Sequence, residues 1–167
     1  MHLTLALWLL FSVAQQREEL EFPAHIDNRA PAFSLYDLEG RLRHSRTFEG
    51  RAGLVFAFLT VDDAPDAIVK LTCAYAKRDV EFVIVDVTKN VRTAELRKRY
   101  ENLRLGIPVL FDEERVVTER YVIRNTPTTY LLDARGVIRY RGDPGKPLRA
   151  ALEEMLAGKE VTVKEGR

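Results

Sequence analysis

After its first fourteen residues the chain is dominated by one apolar run, Leu54-Val55-Phe56-Ala57-Phe58-Leu59-Thr60, which ends in the acidic stretch Val61-Asp62-Asp63-Ala64-Pro65-Asp66. A continuous run of this kind lacks the alternation of a half-exposed strand, so it predicts a strand buried on both faces at the centre of a mostly parallel sheet. From Pro65 to about Lys77 the spacing becomes helical. Ile68, Leu71 and Tyr75 recur at i, i+3 and i+7 as a core-facing stripe, with Lys70 and Lys77 opposite and Cys73 placed on the flank beside Val69 and Ala76. Val80 to Val87 is again nearly continuous in β-branched residues and predicts a second buried strand. Strand, helix, strand at this spacing predicts a right-handed crossover.

The flanking pattern is weaker but regular. Tyr36-Asp37-Leu38-Glu39-Gly40-Arg41-Leu42 is a turn between two short alternating runs and predicts a β-hairpin. A helix is expected from about Arg92, with Leu96, Tyr100 and Leu103 inward and Arg97-Lys98-Arg99 outward. Ile107 to Phe111 reads as a short strand and Glu113 to Tyr121 as a short helix. Pro127 stands at the mouth of the run Thr128 to Asp133, where it must be a first residue, an edge residue or part of a cis turn. Asp133-Ala134-Arg135-Gly136 turns that run back into Val137 to Gly142 as an antiparallel hairpin. A last helix is expected over Leu148 to Ala157, and the charged tail 159–167 is expected to be loosely held. The expected organisation is a leader over 1–14, an irregular segment over 15–29, one α/β domain over 30–158 and the tail.

Composition narrows the function classes. The 167 residues carry 26 basic and 25 acidic side chains, a net charge of +1, so no global field favours nucleic acid or an anionic membrane. The Arg97-Lys98-Arg99 cluster is accordingly read as a solvated face offset by Glu95 and Glu101, and no nucleic-acid partner is expected. Leu3 to Ala14 is apolar or small but shorter than the ~20 residues that span a bilayer. With small Ser12 and Ala14 followed by polar Gln15 to Glu19, it reads as a signal peptide with no membrane attachment after removal. The alternative is a frayed helix or a short interfacial anchor. Cys73 is the one cysteine, so no internal disulfide can form.

The turn after the central strand is where ligands gather in open α/β sheets, because the next helix offers free N–H groups and a positive dipole end. Here it holds carboxylates and no sulfur. Asp63 as N-cap and Asp66 at the third helical position approximate a capping box, in which the charge also complements the dipole. The other reading is a cation site built by Asp62, Asp63 and Asp66. Three ligands close in sequence, with no Gly-containing loop to wrap the ion, are too few, and no metal or cofactor is expected. Cys73 lies seven residues beyond Asp66, ~10 Å down the helix and away from the dipole that lowers a thiol's pKa. It is expected to be a small buried hydrophobe, with a nucleophilic role as the alternative.

Taken together, Ala30-Pro31-Ala32-Phe33-Ser34-Leu35-Tyr36-Asp37-Leu38-Glu39-Gly40, the strand from Gly50 to Leu59, Asn125-Thr126-Pro127-Thr128 and the hairpin Leu132 to Gly142 resemble the thioredoxin-fold redoxins. That group includes alkyl hydroperoxide reductase-like and extracytoplasmic thiol-disulfide oxidoreductase-like proteins. The resemblance implies an α/β thioredoxin-like three-layer fold, a central mixed sheet flanked by helices, with an N-terminal β-hairpin and a cis bond before Pro127. It also implies that Asp63 and Asp66 stand where the family carries Cys-x-x-Cys or a single peroxidatic cysteine, with Pro65 retained between them. A carboxylate cannot form the mixed disulfide or sulfenic acid that this chemistry requires.

The expectation is therefore an exported, periplasmic or secreted, redoxin that acts as a non-catalytic binding or assembly module. An extended peptide or protein segment would lie beside Thr126 and Pro127, with Asp62, Asp63, Pro65 and Asp66 on the rim favouring Lys or Arg. The alternative is a thiol oxidoreductase or peroxidase acting through Cys73 or a partner's thiol. A purely structural subunit is a third class.

Overall fold

A computed structural model of the chain describes residues 23–103 and 106–166. The expected leader over 1–14 and the following residues to 22 lie outside the described residues. In chain order the elements are β1 (Ser34–Asp37), β2 (Leu42–His44), a 3-10 turn (Ser45–Phe48), β3 (Gly53–Leu59), α1 (Asp66–Tyr75), β4 (Val80–Asp86), α2 (Thr93–Leu103), β5 (Val109–Phe111), α3 (Val116–Arg120), β6 (Thr128–Asp133), β7 (Ile138–Gly142), α4 (Lys146–Leu156) and β8 (Glu165–Gly166). One sheet runs β2-β1-β5-β4-β3-β6-β7-β8.

β3 sits at its centre and every residue of it is buried. It pairs in parallel with β4, and β4 with β5, as the apolar runs predict. On its other side β3 meets β6 antiparallel, so the sheet is mixed. The pleat splits the run into two cores because successive side chains point to opposite faces. Val55, Ala57 and Leu59 join Ile68, Leu71, Leu96, Leu148 and Leu152 under α1, α2 and α4. Leu54, Phe56 and Phe58 join Phe33, Val117, Tyr121 and Tyr130 under α3 and the N-terminal segment. The result is three layers, helices on each side of the sheet. Tyr121 organises the second core: its ring lies 5.1 to 6.2 Å from those of Tyr130, Phe58, Phe33 and Phe56, and its hydroxyl donates to the Pro31 carbonyl at 2.8 Å.

Four expectations are corrected. The tail is held: Val161 is buried in the first core, Thr162 donates through its amide and hydroxyl to the Glu154 carboxylate at 2.7 Å, and β8 closes the sheet beside β7. Gly142 and Gly166 allow that closure, since a Cβ on Gly142 would stand 2.2 Å from the Gly166 carbonyl oxygen. Leu103, at the last position of α2, is exposed. The basic run is also more than a solvated face: Arg97 Nε donates to the Leu38 carbonyl at 2.8 Å and Arg99 Nη2 to the Asp63 carbonyl at 3.0 Å. Cys73 is exposed. Five residues beyond Ile68 at 100° per residue is about 140° around α1, on the side away from the Ile68, Leu71 and Tyr75 stripe.

Candidate functional site

The carboxyl end of β3 and the start of β6 lie side by side. Phe58 pairs with Thr128 at the end of the β3–β6 register, so the chain beyond each strand leads directly into Thr60 and into Thr126-Pro127. The Thr126–Pro127 peptide bond is cis. Sheet order thus brings together the acidic turn and the proline loop, which are more than sixty residues apart in sequence.

The acidic turn is built differently from a capping box. α1 begins at Asp66 with Pro65 at the N-cap, and no side chain caps it. Asp63 looks backward: its Oδ2 accepts the Thr60 amide at 2.7 Å and the Thr60 hydroxyl at 2.9 Å, while the Asp63 amide donates to the Thr60 carbonyl at 3.1 Å. The reason is the buried proline at 65, whose ring disfavours helical backbone at Ala64 before it and so puts the helix start two residues past the place a capping box needs. Asp66, at the first helical position, is exposed and complements the dipole only as a nearby charge. Asp62 is exposed as well. The Val61 amide donates to the Thr88 hydroxyl at 2.9 Å, and Arg99 holds the Asp63 carbonyl from α2 while its Nε is buried without a partner. The turn is therefore fixed from three sides.

Beneath it, at the end of β4, Asp86 is fully buried and accepts the Tyr100 hydroxyl at 2.8 Å. Burial, then the charge of Asp86 and that hydrogen bond, push the Tyr100 phenol well above its usual range. Among the described residues no group of three or more His, Cys, Asp or Glu side chains is arranged to hold a metal ion. With Asp63 turned onto Thr60, the three aspartates do not converge.

Thr126, Pro127 and Thr128 line a cavity of about 890 Å³ on the other flank of the loop, between it and the β7–β8 edge. Its charged lining is Arg124, Arg141, Asp143 and Glu165, and none of Asp62, Asp63 and Asp66 reaches it. Arg141 is positioned by its bond to the Val122 carbonyl at 2.9 Å and by its stacking 5.7 Å over the Tyr130 ring. Burial raises the Tyr130 phenol to about 12, the Arg141 charge opposing. Sequence reasoning missed Thr60, Arg99 and the four charged residues of this cavity. Thr60, three before Asp63, carried a local signal, since short polar side chains bond nearby backbone in turns. Arg99, Arg141 and Glu165 carried none, because their places depend on strand order.

A mixed sheet with this order, helices on both faces and a proline loop beside the turn after the central strand define a thioredoxin-like fold of the redoxin kind. The chain belongs to the AhpC/TSA family, whose model matches residues 26–141. It is 29% identical over 119 residues to the thiol-disulfide oxidoreductase ResA of Geobacillus thermodenitrificans, spanning 68% of this chain and 67% of that protein. Among solved structures it is similar to an uncharacterized conserved protein from Geobacillus kaustophilus, with a TM-score of 0.77 and 24% identity over 84% of this chain and 87% of that one. It is also similar to the thioredoxin domain of a thiol-disulfide oxidoreductase from Bacteroides vulgatus, with a TM-score of 0.67 and 20% identity over 79% and 98%. At these identities the structural likeness speaks for the fold alone.

Proposed function

We propose that this chain is an exported redoxin-family protein without dithiol chemistry, which uses the loop at Thr126-Pro127 to hold an extended segment of another protein. The observation that carries the reading is the state of Asp63. At the position the family resemblance assigns to the nucleophilic thiol stands a carboxylate bound by the amide and hydroxyl of Thr60. It is a structural acceptor, and no sulfur stands at the start of α1. Backbone recognition beside a strand needs no sulfur and survives that replacement. The export part rests on the apolar segment Leu3 to Ala14 and its small-residue end.

The carboxylates free to meet a partner are Asp62 and Asp66, both exposed, so the favoured segment carries Lys or Arg near the turn. Capture of extended Lys-containing peptides from an immobilised peptide array tests this. Binding should fall as salt rises and be lost in an Asp62→Lys, Asp66→Lys double variant that keeps its fold. Binding indifferent to both changes would refute the acidic rim, and an array with no binder would refute the binding role.

The exposure of Cys73 favours a second reading, a thiol oxidoreductase or peroxidase acting through this thiol or with a partner's. Turnover of a disulfide or peroxide that disappears in Cys73→Ser would establish it.

A further inference from the structure

The N-terminal segment and the C-terminal tail meet on one edge of the sheet. The first half of β7 pairs with the former: the Asp27 amide donates to the Ile138 carbonyl at 2.8 Å and the Ile138 amide to the Asn28 carbonyl at 2.9 Å. The second half takes the tail, as the Arg141 amide donates to the Lys164 carbonyl at 2.9 Å and Arg141 and Gly142 pair with Glu165 and Gly166 of β8. Where the two segments come together, Lys164 Nζ donates to Asp27 Oδ2 at 2.6 Å, and Arg139 Nη1 donates to the other oxygen at 3.0 Å. The outer edge of β7 is thus closed from within the chain.

The tail closes its half with few contacts. β8 is two residues long and parallel to β7, the pairing that contributes less per residue. The tail buries Val161 and half-buries Val163, and the described residues after them are Lys164, Glu165 and Gly166, none of them apolar in bulk. Its other ties are the bonds from Thr162 to Glu154 and the Lys164–Asp27 ion pair, whose side chains are 39% and 45% exposed. An ion pair at such exposure contributes little and weakens with salt. A segment held in this way opens locally, without global unfolding.

The tail covers a place for a strand. Once it leaves, the Arg141 and Asp143 amides, which donate to the Lys164 and Gly166 carbonyls, become open donors on a sheet edge. Glu165 and Gly166 also line the cavity that Thr126, Pro127 and Thr128 border, so the edge adjoins the cis-proline loop. The slot selects its occupant. Asp27 calls for a cation at the place of Lys164, and the place of Gly166 takes only glycine, since a Cβ there would stand 2.5 Å from the Tyr140 hydroxyl and 2.7 Å from Pro147.

We infer that the tail from Val161 to Gly166 is a displaceable strap, which holds the place of an extended segment of another protein. That segment carries an apolar residue, a cation three positions later and glycine two beyond it, and adds to β7 by strand pairing. Its identity with the segment held at Thr126-Pro127 rests on the proposed function; the strap does not.

Hydrogen exchange and a peptide probe test the strap without that partner. In the wild-type chain the Arg141 amide should be at least about tenfold less protected than the amides of β3, and less again as salt rises. Val161→Asp with Lys164→Glu alters the tail and leaves the slot intact, so the Arg141 amide should lose protection at least about tenfold further. A synthetic peptide of the sequence Val161 to Gly166, added to about 1 mM, the effective concentration a short tether supplies, should restore that protection and shift the amide resonances of residues 141–143. The same peptide should leave the wild-type chain unchanged. An Arg141 amide as protected as β3 in the wild-type chain would overturn the inference, and so would an opened edge in the double variant that ignores the peptide. A wild-type dimer that the double variant dissolves would assign the slot to the tail of a second copy and overturn it as well.

Discussion

Thr60 donates both its amide and its hydroxyl to one carboxylate oxygen of Asp63, so the turn after the central strand closes on itself before α1 begins. The two acidic residues, Asp63 and Asp66, have unequal roles. Asp63→Ala removes the acceptor of both bonds and should lower unfolding free energy by roughly 2 kcal/mol, the scale of hydrogen bonds to a charged group. Asp66→Ala should cost less than about 1 kcal/mol, the scale of one exposed charge at a helix start. Urea unfolding of the two variants separates these values, and equal losses would restore the capping-box arrangement.

Acid stability should depend on Asp37. Burial raises its carboxyl, but hydrogen bonds from the Arg41 amide and from the Arg43 and Arg41 side chains outweigh burial and bring it down to about 2. A carboxyl whose folded pKa is lowered binds its proton more readily when unfolded, so its stabilisation is complete above ~4 and is lost as pH falls towards ~2. For this buried group the shift corresponds to roughly 2 kcal/mol. Asp37→Asn should unfold more readily at neutral pH and lose less stability than the wild type between pH ~4 and ~2. Denaturant midpoints at both ends of that window check the sign.

The C-terminal strand should be sensitive to one atom. A Cβ on Gly142 would meet the Gly166 backbone at 2.2 Å, and Gly142 has φ of 157°. Gly142→Ala should therefore release β8 and speed proteolysis of the tail, while α4 and the core stay intact. Glu154→Gln should loosen the same segment by weakening its bonds to Thr162. Limited proteolysis with mass detection reads both.

Cys73 should alkylate in the native protein at nearly the rate of the unfolded chain, because it faces solvent on α1. Cys73→Ser should shift stability by less than about 0.5 kcal/mol, as surface changes usually do. A native thiol that resists alkylation would contradict the placement.

What the sequence disclosed followed from periodicity. β3 and β4 announce themselves because strands buried on both faces are nearly continuous in apolar and β-branched residues, and the β6–β7 hairpin because Gly136 supplies the positive φ of 74° its turn uses. The Ile68, Leu71 and Tyr75 stripe was legible for the same reason, and angular arithmetic from it places Cys73 outside. The tail was hidden. Val161 and Val163 sit among charges, and their docking rests on Glu154 and on the approach of Gly142 to Gly166, which only the folded sheet creates. The acidic turn was half legible: its position was plain, but Pro65 decided where the helix starts, and Arg99 reaches the turn from another helix.

The central claim is that the substituted turn has no thiol chemistry, and a turnover assay with disulfide and peroxide substrates tests it most directly. The wild-type protein and Cys73→Ser should both stay at the buffer rate, while a chain carrying D63C and D66C should undergo measurable dithiol oxidation. Wild-type turnover that Cys73→Ser abolishes would contradict the account and make the exposed thiol of α1 the working group.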